Sequence, residues 1–236
     1  MDKRYYSKEK FVNGCILLID KPYNWTSFDL VNKIRWLIKK RFDIKKIKVG
    51  HAGTLDPLAT GLMIILSGKK TKEILNYQNL NKTYFGTFML GSTTKSYDLE
   101  TSIDKKYNID HISSKELNEV KKNFLGITKQ TPPIFSAIKK NGKRLYKYAR
   151  NNEKVLIPQR EIEIKKLDFD IEHFPIIKFM VECSKGTYIR SLVNDIGKSL
   201  DSGAHLVSLR REKIGDFSIK DSISVDYFEN NLNSEI

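Results

Sequence analysis

Alternation of apolar and polar residues constrains this fold most. Residues 160–171 alternate through Ile162 and Ile164, slip by one residue near Lys165-Lys166, and resume through Leu167, Phe169 and Ile171. That pattern predicts a strand carrying a bulge. Phe179, Val181 and Cys183 alternate likewise, residues 14–19 and 61–66 read as buried strands, and 82–90 is a Thr-, Tyr- and Phe-rich strand. Three helices are interspersed. Thr26 and Asp29 form a capping box before Leu30, Ile34, Leu37 and Ile38, and Ser113 and Glu116 form another before Leu117, Val120 and Phe124, with Gly126 placed as a terminator. Ile189, Leu192, Val193, Ile196 and Leu200 give the third, followed by Gly203. No regular β-α-β rhythm is present. The layout therefore predicts an α+β fold with a mixed, largely antiparallel central sheet flanked by helices and loops.

A chain of 236 residues, 40% of them hydrophobic, can bury a sizeable core as one large domain or a domain with a small appendage. The longest apolar runs, Cys15 to Ile19 and Leu62 to Leu66, are about a quarter of the ~20 residues that span a bilayer. No membrane helix is expected. The basic N-terminus lacks an apolar signal core, so a cytoplasmic protein is expected. Cys15 and Cys183 read as reduced strand residues, and the four histidines show no zinc-site spacing, so no metal is expected. Lys and Arg number 42 against 28 Asp and Glu, a net charge of +14. This makes a polyanionic partner a lead, although a lysine-rich composition has other origins.

The residues with chemical potential fall in four places. In Gly50-His51-Ala52-Gly53-Thr54-Leu55-Asp56-Pro57 a carboxylate sits in a glycine-supported turn, five positions after a histidine. Such a carboxylate can act as a nucleophile, or it can merely close an Asx-turn before proline. In Ser184-Lys185-Gly186-Thr187-Tyr188-Ile189-Arg190 a cation stands near a helix N-terminus, where the dipole disfavours it. A nearby carboxylate would account for Arg190, and Asp56 is one candidate; an exposed surface arginine is the alternative. Tyr84 begins a strand and can be a packing residue. Gly203 to Arg211 reads as a strand delivering two surface arginines, suited to phosphates or simply solvated. Neither a phosphate-binding glycine loop nor a G-x-S-x-G elbow is present.

Taken in order, these pieces resemble the TruB family, the bacterial tRNA pseudouridine synthases that isomerise uridine 55 in the T-loop. The resemblance runs from about Asn13 to about Phe217. It rests on Gly14 to Pro22 with Thr26-Ser27, Gly50 to Gly61, Lys82-Thr83-Tyr84, Gln130 to Pro133 with Ser136-Ala137, Tyr146 to Arg150, Cys183 to Arg190, and Gly203 to Arg211.

The resemblance implies a pseudouridine synthase fold and assigns roles by position. Asp56 becomes the catalytic aspartate, Arg190 its ion-pair partner and Tyr84 the tyrosine that stacks on the target base. His51 becomes the histidine that enters the T-loop. Tyr188 and Leu209 line the uridine pocket, and Lys21 with Pro22 supports the catalytic loop. The basic, aromatic stretch at about 130–155, with Lys139, Lys143 and Arg144, becomes a thumb-like RNA-binding insertion, and Arg210 an RNA contact. The expected organisation is a basic N-terminal tail over 1–10, a catalytic domain over 11–220, and a fraying polar tail over 221–236 without the PUA domain that many relatives carry. The isomerisation involves no net redox change or group transfer, so no cofactor is expected. The implied partner is the T-arm of tRNA, and a monomer acting without guide RNA or obligatory protein partner is expected. The alternatives are a non-catalytic RNA-binding or tRNA-folding protein of this fold, and a synthase acting on ribosomal or messenger RNA.

Overall fold

The computed structural model describes residues 6–151 and 153–233. The chain divides into two units, the first comprising residues up to Thr83 and from Arg210 onward, the second Tyr84–Leu209. Positions 1–5 and 234–236 of the expected tails, and position 152 of the expected insertion, lie outside the described residues.

In the first unit a helix begins within the stretch expected as a basic tail. The Ser7 hydroxyl accepts the Lys10 N–H at 3.2 Å, α1 (Lys8–Asn13) follows, and Phe11 is fully buried. After β1 (Ile16–Lys21) the Thr26–Asp29 capping box starts α2 (Ser27–Phe42), which buries Leu30, Ile34, Leu37 and Ile38 as the spacing predicts. The aperiodic segment that follows holds a short strand, β2 (Val49–His51), before the turn, and β3 (Ala59–Ser67) is buried along almost its whole length. A 3-10 turn leads into α3 (Ile74–Gln78), and β4 (Lys82–Leu90) carries the chain across the unit boundary.

The second unit contains β5 (Ser92–Thr94) paired with β6 (Ile103–Lys106), then α4 (Ser114–Asn123) and β7 (Gly126–Gln130). Both Ser113 and Glu116 cap α4 as expected. The helix ends at Asn123 with Phe124 as its C-cap, and Gly126, at φ +88°, opens β7 instead of closing the helix. A tight hairpin of β8 (Lys139–Lys140) and β9 (Lys143–Arg144) is followed by α5 (Leu145–Arg150). Next come β10 (Arg160–Asp170), β11 (Ile176–Cys183) and α6 (Ile189–Ser199). The register of β10 against β11 shifts between Ile164 and Lys166, where the alternation slips. Strand β12 (Ala204–Ile214) returns to the first unit at Arg210, where β13 (Phe217–Ser218) and α7 (Val225–Asn233) complete the described chain.

In the first unit the strand order is β1-β3-β12, with β2 also on β3 and β13 on β12; in the second it is β12-β4-β11-β10-β7. The pairs β1/β3, β2/β3, β12/β13, β10/β11 and β10/β7 are all antiparallel. The fold class is α+β, as expected. Leu62, Ile64, Leu66, Ala52 and Ile214 form a core cluster of the first unit, flanked by Ile16, Leu18, Tyr77 and Leu80. Cys15 and Cys183 are both buried thiols. Among the described residues no helix is long and apolar enough to cross a membrane.

The closing segment is not a fraying tail. Val225, Phe228 and Leu232 recur at helical spacing and are buried, with Phe228 edge-on to Phe11 at 6.3 Å between ring centroids. Lys33 pairs with Glu229 at 2.7 Å, and Arg41 Nε donates to the Leu232 carbonyl at 2.8 Å. Three apolar residues diluted in a polar stretch make a weak stripe by themselves; docking on α1 and α2 stabilises the helix.

Candidate active site

Asp56 lies on the turn between β2 and β3, and that turn is held almost atom by atom. The carbonyls of five consecutive residues each accept a hydrogen bond. Arg211 Nη2 donates to Gly53 O at 3.0 Å and Nη1 to Thr54 O at 3.3 Å. The Ser27 hydroxyl donates to Leu55 O at 3.0 Å, and the Ala59 N–H donates to Asp56 O at 3.1 Å. Pro57 O accepts both the Asn24 N–H at 3.0 Å and Lys21 Nζ at 3.3 Å. Two glycines make the geometry possible. Gly53 sits at φ +129°, and Gly61, at φ +111°, would place a Cβ 2.4 Å from the Arg211 carbonyl oxygen. A loop so tied fixes the backbone from which the Asp56 side chain projects, as a catalytic group requires.

Arg211 was expected at the surface with Arg210, but it is only 1% exposed, and its Nε also donates to Leu62 O at 2.7 Å. Strand alternation places neighbouring side chains on opposite faces, so β12 sends Arg211 under the loop and Arg210 outward. Arg210 makes a two-pronged pair with Asp20, Nη2 at 2.7 Å and Nη1 at 3.1 Å, and its Nε donates to Glu212 at 3.0 Å. Its charge is therefore matched within the first unit, and it is not an unencumbered phosphate ligand.

Lys21, which the resemblance places with Pro22 in support of the catalytic loop and among the substrate-binding residues, is 0% exposed. Its ammonium donates to Pro22 O, Trp25 O and Pro57 O at 3.0, 2.6 and 3.3 Å, which makes it a strut of the loop and not a surface contact. Burial lowers its pKa from 10.5 to about 8, with the Asp56 carboxylate pulling the other way and Arg211 adding to the depression. Between about 8 and 10.5 the unfolded chain binds the proton that the folded chain has released, so the Lys21 contribution to stability rises with pH across that window. Below it the penalty for burying the ammonium is fully present. Relative to Lys21→Met, the wild-type protein should gain up to about 3 kcal/mol between pH 7.5 and 10.5. Urea denaturation of both proteins at the two pH values measures this, and a constant difference would refute the depressed pKa.

His51 closes β2, and its Nδ1 accepts the Gly53 N–H at 3.3 Å. Burial, followed by the charge of Arg211, lowers its pKa, so at neutral pH the imidazole is uncharged with its proton on Nε2. Lys82 Nζ donates to Gln78 O and Leu80 O, each at 2.6 Å, and anchors the start of β4.

In the second unit, Arg190 is buried in the first turn of α6. The cation at the helix N-terminus has a carboxylate: Asp98 Oδ2 lies 3.5 Å from its Nε, and both side chains are buried. Its guanidinium also donates to Ser96 O at 3.1 Å and Phe135 O at 2.9 Å. The Asp98 side chain also accepts the Glu100 N–H at 3.0 Å. Sequence reading passed over Asp98, which has no spacing signature within Thr94 to Glu100. Tyr84, 8% exposed, lies near the start of β4, and Leu209 is buried on β12. Tyr188 is half-buried with the Arg160 guanidinium 5.1 Å from its ring centroid. In the basic insertion Lys139 and Arg144 are exposed. Lys143 is engaged by Glu153 at 2.6 Å and by the Tyr148 ring at 4.5 Å, so a phosphate would compete with Glu153 for it.

Comparison with known proteins settles the family. Residues 39–189 match the model of the TruB family pseudouridylate synthase N-terminal domain. The chain belongs to the TruB family. Residues 190–235 match the tRNA pseudouridylate synthase B C-terminal domain, and that match takes in α7 and the segment expected to fray. A TruB relative from Flavobacterium johnsoniae, a tRNA pseudouridine synthase B, is 51% identical over 95% of this chain and 98% of its own length. Another from Parabacteroides distasonis, with the same name, is 47% identical over 96% of each. Among solved structures, a chain of a Cbf5-Nop10-Gar1 complex matches 96% of this TruB chain with a TM-score of 0.68 and 26% identity. This chain spans 58% of that protein's length.

Proposed function

We propose that this TruB-family chain is a tRNA pseudouridine synthase that isomerises uridine 55 of the T-loop, acting alone and without a cofactor. The observation that carries the reading is the Asp56 loop, a carboxylate on a turn whose five successive carbonyls from Gly53 to Pro57 are all held. Breaking the C1′–N1 bond develops positive charge at C1′. A fixed carboxylate meets that charge whether it attacks the carbon or stabilises it while the 2′ hydrogen leaves. The uracil then turns and reattaches through C5, so atoms and electrons balance within the nucleotide. A uridine inside a folded loop has to be flipped out and stacked on aromatic side chains, the part assigned to Tyr84 and Tyr188. Tyr84, Arg190, His51 and Leu209 keep the roles their positions imply. Support also comes from the relatives, which carry the name tRNA pseudouridine synthase B across nearly their whole length.

Incubating the protein with unmodified tRNA transcript, then mapping pseudouridine by carbodiimide labelling and primer extension, tests the reading. A single stop at the T-loop uridine is expected. A stop elsewhere, or none with tRNA bound, would overturn it.

The insertion over 130–155 serves in this reading as the grip on the RNA backbone. Its exposed Lys139, Arg144 and Lys147 offer phosphate contacts. Replacing all three by Gln should weaken tRNA binding and reduce the slope of log K against log salt by about 2 to 3. Filter binding across a salt series gives the slope, and an unchanged value would remove the insertion from the interface.

A further inference from the structure

Helix α6 carries Arg190 in its first turn, yet its N-cap residue, Tyr188, makes no side-chain capping hydrogen bond. The support comes from the end of β7. Gln130, 3% exposed, accepts the Tyr188 N–H on Oε1 at 2.8 Å and donates from Nε2 to the Tyr188 carbonyl at 3.0 Å. The side-chain amide thus pairs with the backbone of residue 188 as a neighbouring strand would. Two further bonds join the same segments: the Ser191 hydroxyl donates to Thr131 O at 2.8 Å, and Arg190 Nη2 donates to Phe135 O at 2.9 Å. Residues 130–135 therefore clasp residues 188–191 through side chains from both.

We propose that Gln130 is a positioning residue for the isomerisation. It fixes the backbone of Tyr188, and through it the turn that aims Arg190. Amide chemistry suits the task, because Gln and Asn alone keep a donor and an acceptor side by side in one plane at neutral pH, matching the N–H and C=O of a peptide. The longer Gln side chain spans from β7 to Tyr188. Residues 130–135 also lead into the basic insertion, so the segment that grips RNA and the turn bearing Arg190 are joined at this clasp. The inference rests on the proposed function.

The test compares wild type with Gln130→Met, which keeps the length and loses both bonds, and Gln130→Glu. Isomerisation of tRNA transcript is followed in single turnover at saturating protein, and the Kd for tRNA is measured separately. Gln130→Met should lower the rate constant tenfold or more and leave Kd within threefold. Gln130→Glu should be impaired at pH 8, where a carboxylate faces the Tyr188 carbonyl. Its rate relative to wild type should recover towards pH 5.5 as the protonated carboxyl again offers one donor and one acceptor. A Met variant within twofold of the wild-type rate, a loss confined to Kd, or a flat Glu-to-wild-type ratio across pH would each overturn the proposal. Should the Met variant fail to fold, the pH profile of the Glu variant decides. A wild-type protein that makes no pseudouridine would overturn the functional reading and this inference with it; an active wild type matched by the Met variant would overturn the inference alone.

Discussion

Asp56→Asn should abolish pseudouridine formation, lowering the single-turnover rate by about 10^4-fold or more, with tRNA affinity nearly unchanged. The substitution is isosteric. The loop is held through backbone carbonyls by Arg211, Ser27, Ala59, Asn24 and Lys21, and none of those bonds uses the Asp56 carboxylate. The backbone of the loop should therefore survive the substitution. A second signature accompanies it. The carboxylate partly offsets the burial of Lys21, so the Lys21 pKa should fall further below about 8 in the variant. Retained turnover in the Asn protein would sink the assignment of Asp56.

Arg190→Met should cost both activity and stability, and its double mutant should separate the two. Removing the guanidinium deprives the Ser96 and Phe135 carbonyls of a donor and leaves the Asp98 carboxylate buried without that cation. Breaking one side of a buried pair typically costs about 3 to 5 kcal/mol, so Tm should fall by roughly 10 °C in a chain of this size. Adding Asp98→Asn removes the stranded charge and should restore more than half of the lost stability. It should restore none of the isomerisation, because the cation is still missing. Chemical denaturation paired with the tRNA assay gives both readings. Equal instability of single and double mutants would show that Asp98 and Arg190 are not coupled.

What could be read from the sequence was whatever is encoded locally. Both capping boxes start helices where Thr26–Asp29 and Ser113–Glu116 place them, since the groups that satisfy the helix N-terminus lie within four residues. The slip at Lys165-Lys166 marks a register shift because strand period leaves an extra residue no other outlet. The illegible parts depend on distant partners. Alternation puts Arg211 on the face of Leu209, but what awaits it there, the carbonyls of Gly53, Thr54 and Leu62, lies about 150 residues away in sequence. Asp98 acquires its meaning from Arg190, and Gln130 from Tyr188, 58 residues away. The carbonyls that Lys21 holds include Pro57 O, 36 residues away, and α7 is received by Phe11 and Arg41.

The tethering of every carbonyl from Gly53 to Pro57 also determines who must yield when enzyme and substrate meet. A turn with no slack cannot reach into a nucleic acid to find its target. Under the proposed function the distortion falls on the RNA, which has to surrender the nucleotide at an energetic cost set by its own stacking and pairing. A uridine already strained or unpaired in a tight loop leaves for less than one inside a continuous duplex. Under the proposed function, stiffness in the protein would act as a filter on pliancy in the RNA, favouring a strand that yields its nucleotide readily.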